Sequence, residues 1–303
     1  MPVSDYERCD LCQEQCGFDR AQEVRRVNCH VRSHRQDIFT VWRCPSCSSL
    51  HSKEAVDLAK YYADYPLKKH KPTIHTHIAY RNRHRLLKRW GLGANNSILD
   101  FGCGTGLFVK YMRQRGYQVS GFDAFVPEFS DSQALARNYD AVLSFDVIEH
   151  LDRPAELFQQ LFDLTAPGGL LVVGTPDASG LDLGAKIPPV ELSQPFHRHI
   201  LSEQALIQIA KRFDLIPEFA FRRSYFDSLI PTVNMRFMWA YLNASGGMLD
   251  SMVEPINWGR VLRSPRLIFY ALAGYFLYEP GNMIIAFRKP HAEALEVRRA
   301  GNQ

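Results

Sequence analysis

The sequence has little of what marks a membrane-spanning or secreted chain. Its longest apolar run, residues 267–278, is shorter than the roughly 20 residues that a spanning helix needs. The N-terminus lacks the apolar core of a signal peptide, so we expect a cytoplasmic protein. Internal repeats are absent, which excludes a repeat architecture. The formal net charge is only +4, so an anionic partner is permitted but not required.

The composition is that of an ordinary globular protein. Of the 303 residues, 46% are hydrophobic and 22% are charged, which is enough to bury the core of one substantial α/β domain plus a small module. The 7 cysteines do not suggest disulfides, because four of them form two Cys-x2-Cys pairs. Such pairs are typical of metal ligands in a reducing compartment.

The two cysteine pairs predict a zinc-binding module over residues 1–51. Each pair places two thiolates on a tight turn, and a hairpin can bring the four around a tetrahedral Zn²⁺. Four sulfur ligands leave no open position, so we interpret this zinc as structural. The predicted ligands are Cys9, Cys12, Cys44 and Cys47. Four further residues could replace one ligand or hold a second ion: Cys16, Cys29, His30 and His34.

Residues 52–92 have a helical pattern and link this module to the rest of the chain. The stretches 68–77 and 81–85 are densely basic. They favour a solvated helix face over a nucleic-acid surface, because no recognisable binding module accompanies them.

A strand-like segment that breaks into three alternating glycines is the strongest motif. Residues 98–106 read Ile-Leu-Asp-Phe-Gly-Cys-Gly-Thr-Gly. Gly102, Gly104 and Gly106 let the backbone turn sharply and approach a ligand, because glycine has no Cβ. Asp123 ends the next strand-like segment, where an acid binds ribose hydroxyls in dinucleotide folds. Asp100 precedes the turn and would repel a pyrophosphate, so the pattern favours a cationic ligand.

These residues resemble motif I of class I S-adenosylmethionine-dependent methyltransferases, in particular the ubiquinone-pathway O-methyltransferase group. The resemblance continues through Asp123 and the segments 139–151, 164–169 and 170–176. It implies a Rossmann-like sheet with helices on both faces over residues 93–290, and S-adenosylmethionine as cofactor. The cofactor-binding residues that it implies are Asp100, Phe101, Gly102, Cys103, Gly104, Gly106, Phe122, Asp123 and Asp146. The segment 52–92 would lie over the cofactor, with Tyr61, Tyr62 and an arginine covering its methionine end.

Hydrophobic patterns place the remaining elements. Strands are expected at 98–100, 117–122, 141–145, 170–174, 215–221 and 283–289. Helices are expected at 107–116, from the start signal at 152–154 to a stop at Pro167, and at 197–213, the last with Ser202 as a plausible cap. The segment 124–138 is shorter than in most members of the resembled family. We therefore expect a vestigial third strand, and Asp131 is a weak candidate for the adenine contact.

Methyl transfer needs a base when the acceptor arrives protonated, and the carboxyl edge of the sheet supplies candidates. They are Glu149, His150, His197 and, further along, His199. Asp146-x-x-Glu149-His150 is also similar to a segment that binds a divalent ion in ubiquinone-pathway O-methyltransferases and small-RNA 2′-O-methyltransferases. The resemblance therefore leaves open a divalent site at Asp146, Glu149 and His150, with His197 as fourth ligand.

An apolar insertion separates the last two predicted strands, at about 226–281. We interpret it as a helical lid, with a homodimer surface or a membrane-lying segment as alternatives. The charged residues 291–303 are expected to form a flexible tail.

The leading hypothesis is methyl transfer to a hydroxyl of an aromatic, polyketide-like or lipid-linked small molecule, as in natural-product biosynthesis, with histidine as general base. One alternative is an RNA methyltransferase that uses the zinc module and the basic stretch. Another is a catalytically inactive partner protein that keeps the fold.

Overall fold

A computed structural model describes residues 8–66, 72–277 and 281–291, which form two β-sheets with helices around them. The strands are β1 (Glu23–Asn28), β2 (Ile38–Arg43), β3 (Leu50–Ser52), β4 (Ser97–Phe101), β5 (Gln118–Phe122), β6 (Tyr139–Phe145), β7 (Thr165–Pro176), β8 (His199–Ile200), β9 (Ile216–Phe221) and β10 (Asn282–Arg288). The helices are α1 (Leu58–Ala63), α2 (Ile74–Arg89), α3 (Leu107–Arg113), α4 (Pro154–Leu164), α5 (Glu203–Lys211), α6 (Met235–Ala244), α7 (Trp258–Leu262) and α8 (Pro265–Ala273).

The larger sheet confirms the predicted Rossmann-like architecture. Its six strands have the order β5-β4-β6-β7-β10-β9. Strands β5, β4, β6 and β7 are parallel, whereas β10 runs antiparallel to both of its neighbours. The carboxyl ends of the parallel strands therefore meet at one edge, where open α/β sheets bind their ligands.

The segment between β5 and β6 lacks a strand, as its length predicts. It forms two short 3₁₀ turns, Pro127–Phe129 and Ser132–Leu135. Asp131 caps the second turn by accepting a hydrogen bond from the backbone N–H of Gln133 at 2.8 Å.

Alternation along the strands divides the core between the two faces of this sheet. Leu99 and Val142 pack with α4 and α5 on one face, whereas Ile98 and Leu143 pack with α2 and α3 on the other. Successive side chains of a strand point to opposite faces, so strands buried on both sides need continuous apolar runs. Strand β6 meets this requirement, because all its residues except Asp140 are buried.

The smaller sheet has the order β1-β2-β3-β8, and its fourth strand corrects a prediction. The helix predicted over 197–213 begins only at Glu203, with Ser202 as the N-cap. Residues His199–Ile200 instead pair with β3, because the free edge of that strand offers them backbone partners. The domain limits 1–51, 52–92 and 93–290 stay predictions.

The insertion between β9 and β10 is helical, as expected. Helices α6, α7 and α8 pack together through Phe237, Tyr241, Val261, Leu267 and Ala271. Among the described residues, no helix has the length and apolar character needed to cross a bilayer. The predicted tail lies outside the described residues except for residue 291.

Candidate active site

The turn between β4 and α3 has the open backbone that its glycines predict. Gly102, Gly104 and Gly106 have φ values of +79°, +54° and +69°. A Cβ on Gly102 would lie 2.2 Å from Val147, and one on Gly106 would lie 2.1 Å from Phe129. Around Gly104 nothing lies within 4 Å of that position. The turn is therefore packed at its two ends and open in the middle, which fits close approach by a ligand.

Asp123 lies against this turn, as expected of the acid that ends β5. Its Oδ2 accepts a hydrogen bond from the Gly104 N–H, and its Oδ1 accepts one from the Phe125 N–H, both at 2.9 Å. Each carboxylate oxygen keeps a further lone pair. The Phe122 carbonyl accepts the Gly102 and Cys103 N–H groups at 2.7 and 3.1 Å, so β5 fixes the turn from one side.

Asp100 is buried at the end of β4. Burial raises the pKa of this carboxyl to about 6, and the nearby Arg83 guanidinium opposes that rise. The rings of Phe101 and Phe122 lie 5.1 Å apart beside it. Burial also raises the pKa of the Cys103 thiol to about 12, so this cysteine is a packed thiol at neutral pH.

Asp146 follows β6 in a left-handed conformation with φ +56°. One of its oxygens accepts hydrogen bonds from Arg83, at 3.1 Å, and from the Tyr225 hydroxyl. The Arg83 guanidinium lies 4.3 Å from the Phe145 ring and 3.9 Å from the Tyr225 ring. Asp146 is thus tied to an aromatic-flanked arginine. The basic pattern of α2 predicted that one arginine covers the cofactor but did not identify Arg83, and no pattern marked Tyr225.

Glu149, His150 and His197 come together next to the glycine turn. Val147 packs on Gly102, and the 3₁₀ turn Ile148–His150 follows it directly. One ligand atom from each of the three side chains lies within 4.8 Å of the other two. The proposed cation ligands Glu149, His150 and His197 are therefore adjacent, whereas Asp146 is bonded to other groups.

In both histidines of this cluster, the Nδ1 atom faces a backbone carbonyl. His150 Nδ1 lies 3.1 Å from the Phe196 carbonyl, and His197 Nδ1 lies 2.8 Å from the Glu191 carbonyl. A carbonyl can only accept, so both Nδ1 atoms carry the proton. Burial lowers the pKa of both rings, which are then neutral with an unprotonated Nε2 at pH 7.

Glu149 differs in charge from an ordinary glutamate. Burial, with a smaller effect from Asp146, raises its pKa to about 8. Its Oε2 accepts a hydrogen bond from the Thr175 hydroxyl at 3.0 Å, which holds the carboxyl in place.

Aromatic side chains line the approach to His150. The rings of Tyr62 and Tyr65 lie 5.0 and 4.5 Å from that of Phe196. The Tyr62 hydroxyl lies 3.5 Å from His150 Nδ1. Tyr61, the other tyrosine predicted to cover the cofactor, faces away and donates its hydroxyl to Asp37 at 2.8 Å.

The four predicted zinc ligands cluster as expected. The Sγ atoms of Cys9 and Cys47 lie 3.8 Å apart, and those of Cys12 and Cys44 lie 3.9 Å apart. Zn–S bonds of about 2.3 Å place the sulfurs of a tetrahedral site about 3.8 Å apart, so the geometry fits zinc.

The other candidate ligands have different surroundings. Cys16 Sγ lies 3.3 Å from Cys44 Sγ, at the margin of the cluster. His30 binds the backbone of Gln194, and His34 pairs with Asp64. Cys29 is buried beside the Val31 N–H.

A buried histidine pair adjoins the cysteines. His51 Nε2 lies 3.4 Å from Cys9 Sγ, and its Nδ1 lies 2.9 Å from His199 Nδ1. His199 in turn bonds the Asp152 carbonyl at 3.2 Å. His199 therefore contacts the cysteine cluster through His51 and is not a member of the Glu149 cluster.

Comparison with known proteins finds a family that part of this chain resembles. Residues 74–216 match the family described as "Methyltransferase domain". The ubiquinone biosynthesis O-methyltransferase of Serratia proteamaculans is 29% identical, in a match that covers 30% of this chain and 46% of the relative. The mitochondrial ubiquinone biosynthesis O-methyltransferase of Arabidopsis thaliana is 34% identical, with coverage of 26% and 31%. The chain thus spans less than half the length of these curated relatives.

Among solved structures, the 1,6-didemethyltoxoflavin-N1-methyltransferase of Burkholderia thailandensis aligns over 83% of this chain and 96% of its own, with 12% identity and a TM-score of 0.45. The six-stranded sheet, the glycine turn and the family match agree with one another. Residues 74–216 are therefore similar to the methyltransferase domain family, and the larger sheet has a Rossmann-like fold.

Proposed function

We propose that this protein transfers a methyl group from S-adenosylmethionine to a hydroxyl of an apolar small molecule, with a histidine of the Glu149 cluster as the proton acceptor. The observation that carries this proposal is the pair of neutral rings, His150 and His197, with unprotonated Nε2 atoms beside the glycine turn. A neutral imidazole with a free ring nitrogen can accept the proton of a phenol or alcohol.

The residues at the turn fit the cofactor. S-adenosylmethionine supplies an electrophilic methyl group when it is bound. The open backbone at Gly104 gives room for a ligand in contact with the main chain. Asp123 offers its remaining lone pairs to ribose hydroxyls, and the buried Asp100 favours the cationic end of the ligand.

The acceptor class is argued from the lining of the site. Tyr62 and Tyr65, both packed on the fully buried Phe196, form an aromatic wall on the side of His150, which suits an aromatic or lipid-linked acceptor. The curated relatives are named as O-methyltransferases, which supports oxygen as the methylated atom.

A divalent cation on Glu149, His150 and His197 is a second candidate for activating the acceptor. Two imidazoles with carbonyl-anchored Nδ1 atoms and a carboxyl form a common ligand set. A cation held there would lower the pKa of the acceptor hydroxyl. Transfer that persists without added cation in chelator-treated buffer would leave the histidine alone as proton acceptor.

Calorimetric titration with S-adenosylhomocysteine tests the cofactor site. We expect micromolar binding by the wild type and weakening by about 2 kcal/mol in Asp123→Ala, because a charged hydrogen-bond acceptor is lost. Glu156→Ala is the matched control, since this exposed acid lies on α4 and pairs with Arg153. Its affinity should be unchanged.

His197→Gln separates the two parts of the proposal. It should retain the affinity for S-adenosylhomocysteine while it abolishes transfer in an acceptor screen. A wild type that does not bind S-adenosylhomocysteine would contradict the proposal and favour a non-catalytic partner protein.

A further inference from the structure

The helical insertion exposes an unusually apolar surface. On α7 and α8 and just beyond them, five large apolar side chains are mostly in solvent. Their exposed fractions are 56% for Trp258, 69% for Leu262, 53% for Phe269, 66% for Leu272 and 74% for Phe276. We call these five residues the apolar face. Exposed apolar side chains that are grouped on neighbouring helices mark a binding surface, whereas scattered ones do not.

On α8, the residues of the apolar face lie opposite those that pack the helix into the insertion. Leu267 and Ala271 of α8 and Val261 of α7 are buried against α6. At 100° per residue, Phe269 and Leu272 lie on the other side of α8 from this buried pair. The apolar face is thus not needed for packing within the described part of the insertion.

The segment that carries the apolar face has basic residues but no acidic ones. Residues 255–277 contain three arginines, Arg260, Arg263 and Arg266, and no acidic residue. All three arginines are exposed. An apolar, aromatic surface with arginines beside it is the pattern of helices that lie in the headgroup region of an anionic membrane.

We propose that the apolar face docks this protein on the surface of an anionic lipid bilayer. Trp258 and Phe269 would enter the headgroup and acyl boundary, while the arginines contact lipid phosphates. A two-fold dimer through the same face is disfavoured, because an isologous contact would bring the arginines of one copy close to those of the other.

Helix α6 lies between the apolar face and the candidate site. Helix α6 packs on α8 with one side and, through Met238 and Trp239, on the cluster that contains Tyr62 and Tyr65 with the other. Docking would therefore hold the aromatic wall one helix away from the membrane. Bilayer docking goes beyond the proposed methyl transfer and does not require it.

Cosedimentation of the full chain with vesicles tests the proposal. Binding should be strong to vesicles of phosphatidylcholine mixed with phosphatidylglycerol, weak to phosphatidylcholine alone, and reduced by salt. Phe269→Ser with Leu272→Ser should lower the partition coefficient at least tenfold. Arg263→Gln with Arg266→Gln should lower it on the order of thirtyfold on the anionic vesicles only. All these side chains are exposed, so the variants should fold.

Matched controls replace exposed residues that lie outside the helical insertion. Val24→Ser with Ile187→Ser removes equally exposed apolar groups, and Arg26→Gln removes an exposed arginine. Neither should change the partition coefficient. A blue shift of tryptophan fluorescence on vesicle addition should disappear in Trp258→Phe.

Two results would overturn the proposal. One is equal cosedimentation of the wild type and the apolar-face variants. The other is a wild-type dimer in sedimentation velocity that Phe269→Ser with Leu272→Ser converts to a monomer, because the apolar face would then be a subunit interface. The cofactor titration is independent of both, so failure of either proposal can be recognised separately.

Discussion

At the scale of single residues, His30 is a buried histidine whose protonation the fold opposes directly. Its Nδ1 accepts the Gln194 N–H at 2.9 Å, and burial lowers its pKa to about 4. The unfolded chain, with a histidine pKa near 6.5, therefore binds more protons between about pH 4 and pH 6.5. The stabilising effect is complete above that window and is lost as the pH falls through it.

We expect His30 to contribute on the order of 2 kcal/mol to the fall in unfolding free energy between pH 7 and pH 5. Urea unfolding of the wild type and His30→Gln at the two pH values measures this contribution. The variant should be less stable at pH 7 but should lose less stability on acidification. Parallel pH profiles for the two proteins would refute the assignment.

The sequence predicted those candidate residues whose position follows from local pattern. Gly104, Asp123 and His150 each lie in or shortly after a recognisable strand. The sequence predicted an arginine at the site without specifying Arg83, and it did not mark Tyr225, because the contacts of both depend on burial against Asp146, which lies far from them along the chain. No period or spacing in α2 distinguishes Arg83 from its exposed basic neighbours.

At the scale of elements, the β4–α3 turn permits a sharp comparison of two glycines. Gly102 and Gly104 both have positive φ, so alanine at either position carries a similar backbone cost of about 1 kcal/mol. Only at Gly102 does the added Cβ collide, with Val147. Gly104→Ala should therefore fold with little further loss, whereas Gly102→Ala should be clearly less stable.

The affinity for the cofactor should also differ between the Gly104→Ala and Gly102→Ala variants. The Cβ of Gly104→Ala would enter the space left open for a ligand, so this variant should bind S-adenosylhomocysteine poorly despite its near-normal melting temperature. Thermal unfolding and calorimetry on both variants measure the two effects. Wild-type affinity in Gly104→Ala would show that the ligand does not approach the turn at this glycine.

The elements that the sequence predicted are those with a pattern of their own. Strands β6 and β7 are long apolar runs, and α4 and α5 have apolar residues at helical spacing. Strand β8 has only two residues, and its conformation comes from the edge of β3. The predicted helix was wrong over residues 197–202, because a local hydrophobic pattern contains no information about a strand edge that is distant along the chain.

At the scale of the whole molecule, β8 ties the cysteine region to the segment 74–216, which matches the methyltransferase family. Ser52 donates its N–H to the Arg198 carbonyl at 2.8 Å, and Ser202 donates its N–H to Ser49 Oγ at 3.0 Å. The Ser202 hydroxyl also bonds the Cys47 carbonyl. The sequence predicted two modules, but their shared sheet could not be derived from it, because that depends on contacts about 150 residues apart along the chain.

This shared sheet predicts that metal in the cysteine cluster orders the segment that carries His197. In protein shown to contain zinc, removal of the metal should unfold the turn at Cys44–Cys47 and then β3. A small zinc-binding module draws most of its folding free energy from the metal. Hydrogen exchange of peptides covering 196–202 should increase on chelation, whereas exchange of β6 should change little. Cys47→Ser should reproduce the increase, and Cys103→Ser, outside the cluster, should not. Unchanged exchange at 196–202 after complete zinc removal would show that β8 is held by the methyltransferase domain alone.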